Sequence, residues 1–166
     1  MYSIGDKIVY PMHGAGVIDS IEEREILGVK QNYYVLKIAV GDMKVMIPTN
    51  NIDNVGVREL IESSKIDNVL LKLKEPVVEV KETNWNKRYR ENMNKLKTGD
   101  IFKVSEVVQT LMVRERDKGL STGEKKMLSN AKRILISEVV LSKGISQEDV
   151  EDVMNDYIYN NKAKAQ

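Results

Sequence analysis

Over the first 60 residues the apolar positions come in short runs of Val, Ile and Tyr broken by Gly, Pro and Asp, a pattern that predicts strands rather than helices. Lys7 to Tyr10 reads as a first strand stopped by Pro11. Val17 to Ile26 alternates as a long second strand in which Val17, Asp19, Ile21 and Glu23 share one face. Gly28 turns the chain, Tyr33 to Val40 is almost continuously β-prone, and Gly41-Asp42 reads as the link of a tight hairpin to Met43 to Ile47, closed by Pro48. Short strands with no room for helices between them predict a small, strongly bent antiparallel sheet or barrel of the SH3 or Tudor type. A domain of about 60 residues buries only about 60% of its unfolded surface and is marginal alone.

Beyond Leu60 the period becomes helical. Ser63 or Ser64 is placed to cap a short helix through Val69, Leu70 and Leu73 that Pro76 ends, and Pro76 to Glu82 has the look of a linker. Thr83 or Asn84 caps a helix to Lys97, with Gly99 just past its end. Asp100 caps the next, whose Ile101, Val104, Val108, Leu111 and Met112 form one stripe before Gly119. Ser121 and Glu124 stand at capping-box spacing, so a third long helix starts there and ends near Gly144. Its stretch from Ile134 to Leu141 is apolar nearly all round and is expected at the centre of the core. Ser146 opens a last helix through Tyr157 and Ile158. The expectation is a two-domain β + α chain, a small Tudor-like or SH3-like antiparallel β domain (1–60) followed by an all-helical domain (83–160), with a short helix and linker (61–82) between them and a frayed tail (161–166).

The composition changes this picture mainly by exclusion. In 166 residues, 42% hydrophobic and 31% charged, no apolar run approaches the length of a membrane span, and the N-terminus has no basic stretch followed by a long apolar one. A cytoplasmic protein without a membrane partner is expected. With no cysteine and one histidine, thiolate nucleophiles, disulfides and the common zinc sites are removed, and neither a cofactor nor a small-molecule substrate is expected. The net charge of +1 hides an asymmetry: residues 1–80, 81–133 and 134–166 carry −3, +7 and −3. A basic middle between acidic ends suggests a localised polyanion-binding surface, although basic residues also decorate ordinary solvated helix faces.

Two stretches resemble catalytic or nucleotide motifs and fail on inspection. His13-Gly14-Ala15-Gly16 has neither a serine elbow nor the third glycine of a dinucleotide fingerprint, and it reads as a glycine turn between strands. Gly119 to Lys126 lacks the order of a phosphate loop. No enzymatic chemistry is expected. The informative stretch is Thr83 to Asn92, where Trp85 sits in the first turn of a helix beside Lys87, Arg88 and Arg90. Trp85 either extends the Tyr89, Met93, Leu96 core stripe or hangs off the helix end as an aromatic plate for an exposed base. Lys125 and Lys126, near another helix start, have the same ambiguity between DNA contact and solvated surface.

The segments Gly5 to Pro11, His13 to Gly16, Thr83-Asn84-Trp85 with Arg88-Tyr89, and Gly119-Leu120-Ser121 with Gly123-Glu124-Lys125 together resemble the CarD family of bacterial RNA polymerase-binding transcription regulators. The resemblance runs from about residue 3 to 158. It implies a Tudor-like domain that docks on the lobe of the polymerase β subunit, similar to the polymerase-interacting domain of transcription-repair coupling factor. It also implies a helical domain that meets promoter DNA at the upstream fork of the bubble, with a tryptophan as minor-groove wedge. Trp85 matches the wedge, and Arg88, Arg90 and Lys125 match basic positions around it. Arg24 matches one basic docking position, whereas Met46 stands where members of the family often have arginine, either as an adaptable apolar docking contact or as a core residue of the small barrel. A regulator of open-complex stability is the reading, with a stand-alone DNA-binding repressor and a peptide-binding adaptor as alternatives.

Overall fold

The four β-prone runs pair as predicted into one antiparallel sheet as β1 (Lys7–Tyr10), β2 (Gly14–Ile26), β3 (Val29–Ile38) and β4 (Lys44–Pro48), and a two-residue strand that no run marks, β5 (Arg58–Glu59), completes the order β4-β3-β2-β1-β5. This is a computed structural model, which describes residues 1–77 and 84–160. Most of the predicted linker, Thr83 and the 161–166 tail therefore lie outside the described residues. One face of the sheet buries Ile8, Ile18, Tyr34, Leu36, Ile38 and Ile47, joined by Ile52 from the loop beyond β4.

Two local expectations give way to packing. The alternation of β2 slips at a bulge between Ile18 and Ser20, so Val17 shares a side with Ser20 and Glu22 rather than with Ile21 and Glu23. One extra residue on one strand moves every later side chain to the other face. Strand β3 stops at Ile38, not Val40, and the link to β4 spans residues 39–43 instead of two. One more ladder bond, from Ala39 N–H to the Ala15 carbonyl at 3.0 Å, follows Ile38 before Val40 leaves the sheet to pack in the helical core.

The helices are α1 (Ser63–Lys72), α2 (Trp85–Lys97), α3 (Ile101–Asp117), α4 (Thr122–Lys143) and α5 (Gln147–Tyr159), completing the predicted class of a small Tudor-like β domain followed by helices. None of them is long and apolar enough to cross a membrane. Asn84, Asp100, Ser121 and Ser146 each cap a helix with a side-chain oxygen. The first helix departs from expectation: neither Ser63 nor Ser64 caps it, and Glu62 precedes it without a side-chain cap. Its entry is fixed from outside, because Ile61 N–H donates to the Glu138 carboxylate and the Ile61 carbonyl accepts from the Ser142 hydroxyl. Helix α4 runs through the middle of the core, its Leu135 and Val139 fully buried with Leu96, Val108, Leu111, Val150 and Met154 in the same cluster.

The predicted apolar run of α4 contains two buried polar groups, Ser137 and Glu138. Both serve the β domain. Arg58 at β5 donates from both terminal nitrogens to the Glu138 carboxylate at 2.7 and 2.8 Å, and its Nε donates to the Gly99 carbonyl. Ser137 Oγ accepts from Ala15 N–H at 2.8 Å and donates to the Ile134 carbonyl. This closeness also corrects the reading of His13 to Gly16. The turn is made by residues 11–13, and both glycines lie inside β2. A Cβ on Gly14 would sit 2.8 Å from Ser137 Oγ, and one on Gly16 would sit 2.4 Å from the Lys37 carbonyl oxygen. Their role is close approach.

Removing one member of a buried, hydrogen-bonded ion pair strands its partner and costs about 3 to 5 kcal/mol. Arg58 keeps a third of its side chain in water, so Glu138→Ala is expected near the low end, about 3 kcal/mol. Chemical denaturation measures it. A loss under about 1 kcal/mol would mean the pair is not what joins the sheet to α4.

Candidate nucleic-acid interface

Asn84 accepts the Lys87 backbone N–H and starts α2, leaving Trp85 as its first residue. The indole neither joins the core nor hangs free. It stacks on Tyr89, one turn on, with ring centroids 4.9 Å apart and planes 22° from parallel. Its Nε1–H donates to Ser121 Oγ at 2.8 Å, and its six-membered ring lies over Gly123, where a Cβ would come within 3.2 Å. Trp85 thus rests on the first turn of α4 with 39% of its surface exposed, while Asn92 and Leu96 take the buried face of α2. The outcome is an aromatic plate supported from behind.

Beneath the plate lies a second buried acid. Glu124 has a side chain only 3% exposed, yet Arg88 reaches it from α2 at 3.6 Å and Arg114 from α3 at 4.0 Å. It also completes the capping box with Ser121. Arg88, predicted as a DNA contact, therefore points inward with 17% of its side chain exposed. Two guanidiniums against one carboxylate leave this corner net positive.

The remaining predicted cations are exposed, on two flanks. At about 100° per residue, Lys87 and Arg90 stand roughly 200° and 140° around α2 from Trp85, on its solvent side. Lys125 and Lys126 follow Gly123 and Glu124 on α4. Between Thr122 and Arg133 the single acid of α4 is the buried Glu124, so the outward charges there are all positive and include Lys132 and Arg133. Sequence reading missed those two, although their seven-residue spacing from Lys125 and Lys126 carries the signal. Arg133 also binds Asn130 and approaches Met43 Sδ at 3.8 Å.

Arg24 and Met46 share the sheet face opposite the core. Arg24 pairs with Gln31 and Met46 with Val35, positions an even number apart on β3. Met46 is 37% exposed and lies on β4, which pairs only with β3 and so ends the sheet. Arg24 donates to Glu22 Oε2 at 2.7 and 3.1 Å. That hydrogen bond, with the charge of Arg24 behind it, holds the Glu22 carboxyl below the usual carboxylate range. Any acid approaching Arg24 competes with Glu22 for it.

Comparison with known proteins gives matches over both parts of the chain. Residues 2–61 match the family description CarD-like/TRCF RID domain, and residues 68–155 match CarD, C-terminal domain. The chain is 41% identical over 155 residues to the candidate transcription factor YdeB of Bacillus subtilis (strain 168), covering 91% of this chain and 98% of that protein.

A core aromatic truncated to alanine loses about 3 to 5 kcal/mol. Trp85, half-exposed and holding one hydrogen bond, is expected to lose about 1 to 2 kcal/mol as Trp85→Ala. Thermal unfolding of the two proteins measures the difference, and a loss above about 3 kcal/mol would return Trp85 to the core.

Proposed function

The chain belongs to the CarD family of transcription regulators, and we propose that it docks on the lobe of the RNA polymerase β subunit through residues 1–60 while residues 83–160 meet promoter DNA at the upstream fork of the bubble. The observation that carries this reading is Trp85: an indole 39% exposed at a helix start, stacked on Tyr89, beside a side of α4 whose exposed charges are all positive. Stacking a ring on a base is worth about 1 to 3 kcal/mol, against a few kcal/mol to unstack one step of duplex. A wedge of this size tilts a near-balanced opening equilibrium with no chemical step. Lys87, Arg90, Lys125 and Lys126 supply phosphate contacts, which position DNA without reading its sequence. Arg88 belongs to the same site but acts through Glu124. On the docking side, Arg24 and Met46 face outward beside the edge strand β4, and extension of the sheet by a strand of the partner is the expected mode.

Ligands shift an equilibrium only by their differential affinity for its two states. Trp85→Ala is therefore expected to shorten open-complex half-life on one promoter by up to about tenfold, the equivalent of about 1.4 kcal/mol, with polymerase binding retained. Arg24→Glu, in contrast, should weaken polymerase binding itself. An unchanged half-life with a stable Trp85→Ala protein would remove the wedge from the reading. A separate expectation concerns salt. DNA binding by the full chain without polymerase should be weak, and replacing Arg90 and Lys125 by alanine should reduce the slope of log affinity against log salt by about 2. A sharp preference for one duplex sequence would speak for an operator-binding repressor instead.

A further inference from the structure

We propose that Ser121 is the positioning residue that fixes the plane of the Trp85 indole, so that the plate is ordered before DNA arrives; this rests on reading Trp85 as the wedge. A serine hydroxyl has one hydrogen to donate and two lone pairs to offer. At Ser121 all three are used: it donates to Glu124 Oε1 at 3.0 Å and accepts from Glu124 N–H at 3.2 Å and from Trp85 Nε1–H at 2.8 Å. With its hydrogen directed at Glu124, the hydroxyl keeps a lone pair aimed at the indole and has no competing rotor. Glu124 is held in turn by burial and by Arg88 and Arg114. Trp85 is thereby tied through one oxygen to α2, α3 and α4.

The arrangement has a consequence for binding. Immobilising a rotamer-rich side chain at an interface costs about 0.5 to 1.5 kcal/mol, and a side chain ordered beforehand avoids that loss. Stacking on Tyr89 and contact with Gly123 restrict the ring from behind, but a stacked ring can still slide in its own plane. The bond to Ser121 removes that freedom. Helix capping alone does not require a hydroxyl here, since glycine at an N-cap loses only a few tenths of a kcal/mol.

That difference makes the test. Ser121→Gly deletes the hydroxyl with a loss of only a few tenths of a kcal/mol in helix capping, whereas Ser121→Thr restores one donor and two acceptors. Trp85 is the single tryptophan of the chain, so the emission of the full-length protein, without DNA or polymerase, reports on its ring. Ser121→Gly is expected to lower emission anisotropy and increase quenching by acrylamide, with Ser121→Thr at the wild-type level. In the polymerase assay Ser121→Gly should shorten open-complex half-life roughly two- to tenfold, as the loss of one hydrogen bond allows. In a Trp85→Phe background, where no ring N–H exists, it should shorten it no further. Wild-type anisotropy and quenching in Ser121→Gly would overturn the proposal, as would an equal loss of half-life in the Trp85→Phe background. A loosened indole with both Ser121→Gly and Trp85→Ala at wild-type half-life would instead overturn the wedge reading beneath it.

Discussion

Glu138 carries its charge into a wholly buried position along α4, where an isolated carboxylate loses several kcal/mol of hydration. It is tolerated because Arg58 meets it with two hydrogen bonds and Ile61 N–H with a third. Those three donors come from β5 and the segment leading into α1, so satisfying one acid fixes how the sheet leaves off and how the helices begin. The remaining contacts follow from that placement. With β5 held, β1 pairs between it and β2, the start of β2 lies against α4, and only glycine at position 14 leaves room for the Ser137 hydroxyl. A β domain that is marginal by its own area finds its missing support in a helix.

Helix α4 repeats the device at its other end. Glu124 and Glu138 are 14 residues apart, about 21 Å along the axis and within about 40° of one another around it. Each is a buried acid read by arginine: Arg58 from the sheet at one end, Arg88 and Arg114 from neighbouring helices at the other. One end sets the β domain, with Arg24 and Met46 on its outer face, and the other sets the indole of Trp85. The buried polar groups of α4, Glu124, Ser137 and Glu138, each meet a neighbouring element, so the helix ties the sheet at one end and α2 and α3 at the other. This explains why the core-facing side of α4 keeps two carboxylates that a core of leucine would not need.

What the sequence made legible was local. Capping residues act over three or four positions, and four of the five helix starts carry them, which is why Asn84, Asp100, Ser121 and Ser146 were readable. Long-range partners were not. Ser137 and Glu138 vanished into an apolar run because their partners lie about 80 to 120 residues away. The glycines at 14 and 16 looked like a turn because the helix and strand that crowd them are absent from the local pattern. Ser121 was recognised as a cap, but its second acceptor site meets Trp85 36 residues away. The bulge at Asp19 left no glycine to mark it, and it reversed the faces of β2 from that point on.

The proposed activity follows from joining two weak contacts by a stiff connector. Four exposed cations and one aromatic plate, without a set of side chains suited to base edges, support only weak and sequence-tolerant DNA binding. Once the β domain is docked, the plate meets DNA as part of the same assembly, and its effective concentration is set by geometry rather than by the amount of free protein. That gain exists only where the connector delivers the plate to the right place. On the proposed reading each buried acid has a role beyond stability: Glu138 ties the docking domain to α4, and Glu124, through Ser121, holds the plane of the indole. A substitution at either acid that leaves the protein folded is for this reason expected to separate docking from the effect on the promoter, with the first retained and the second lost.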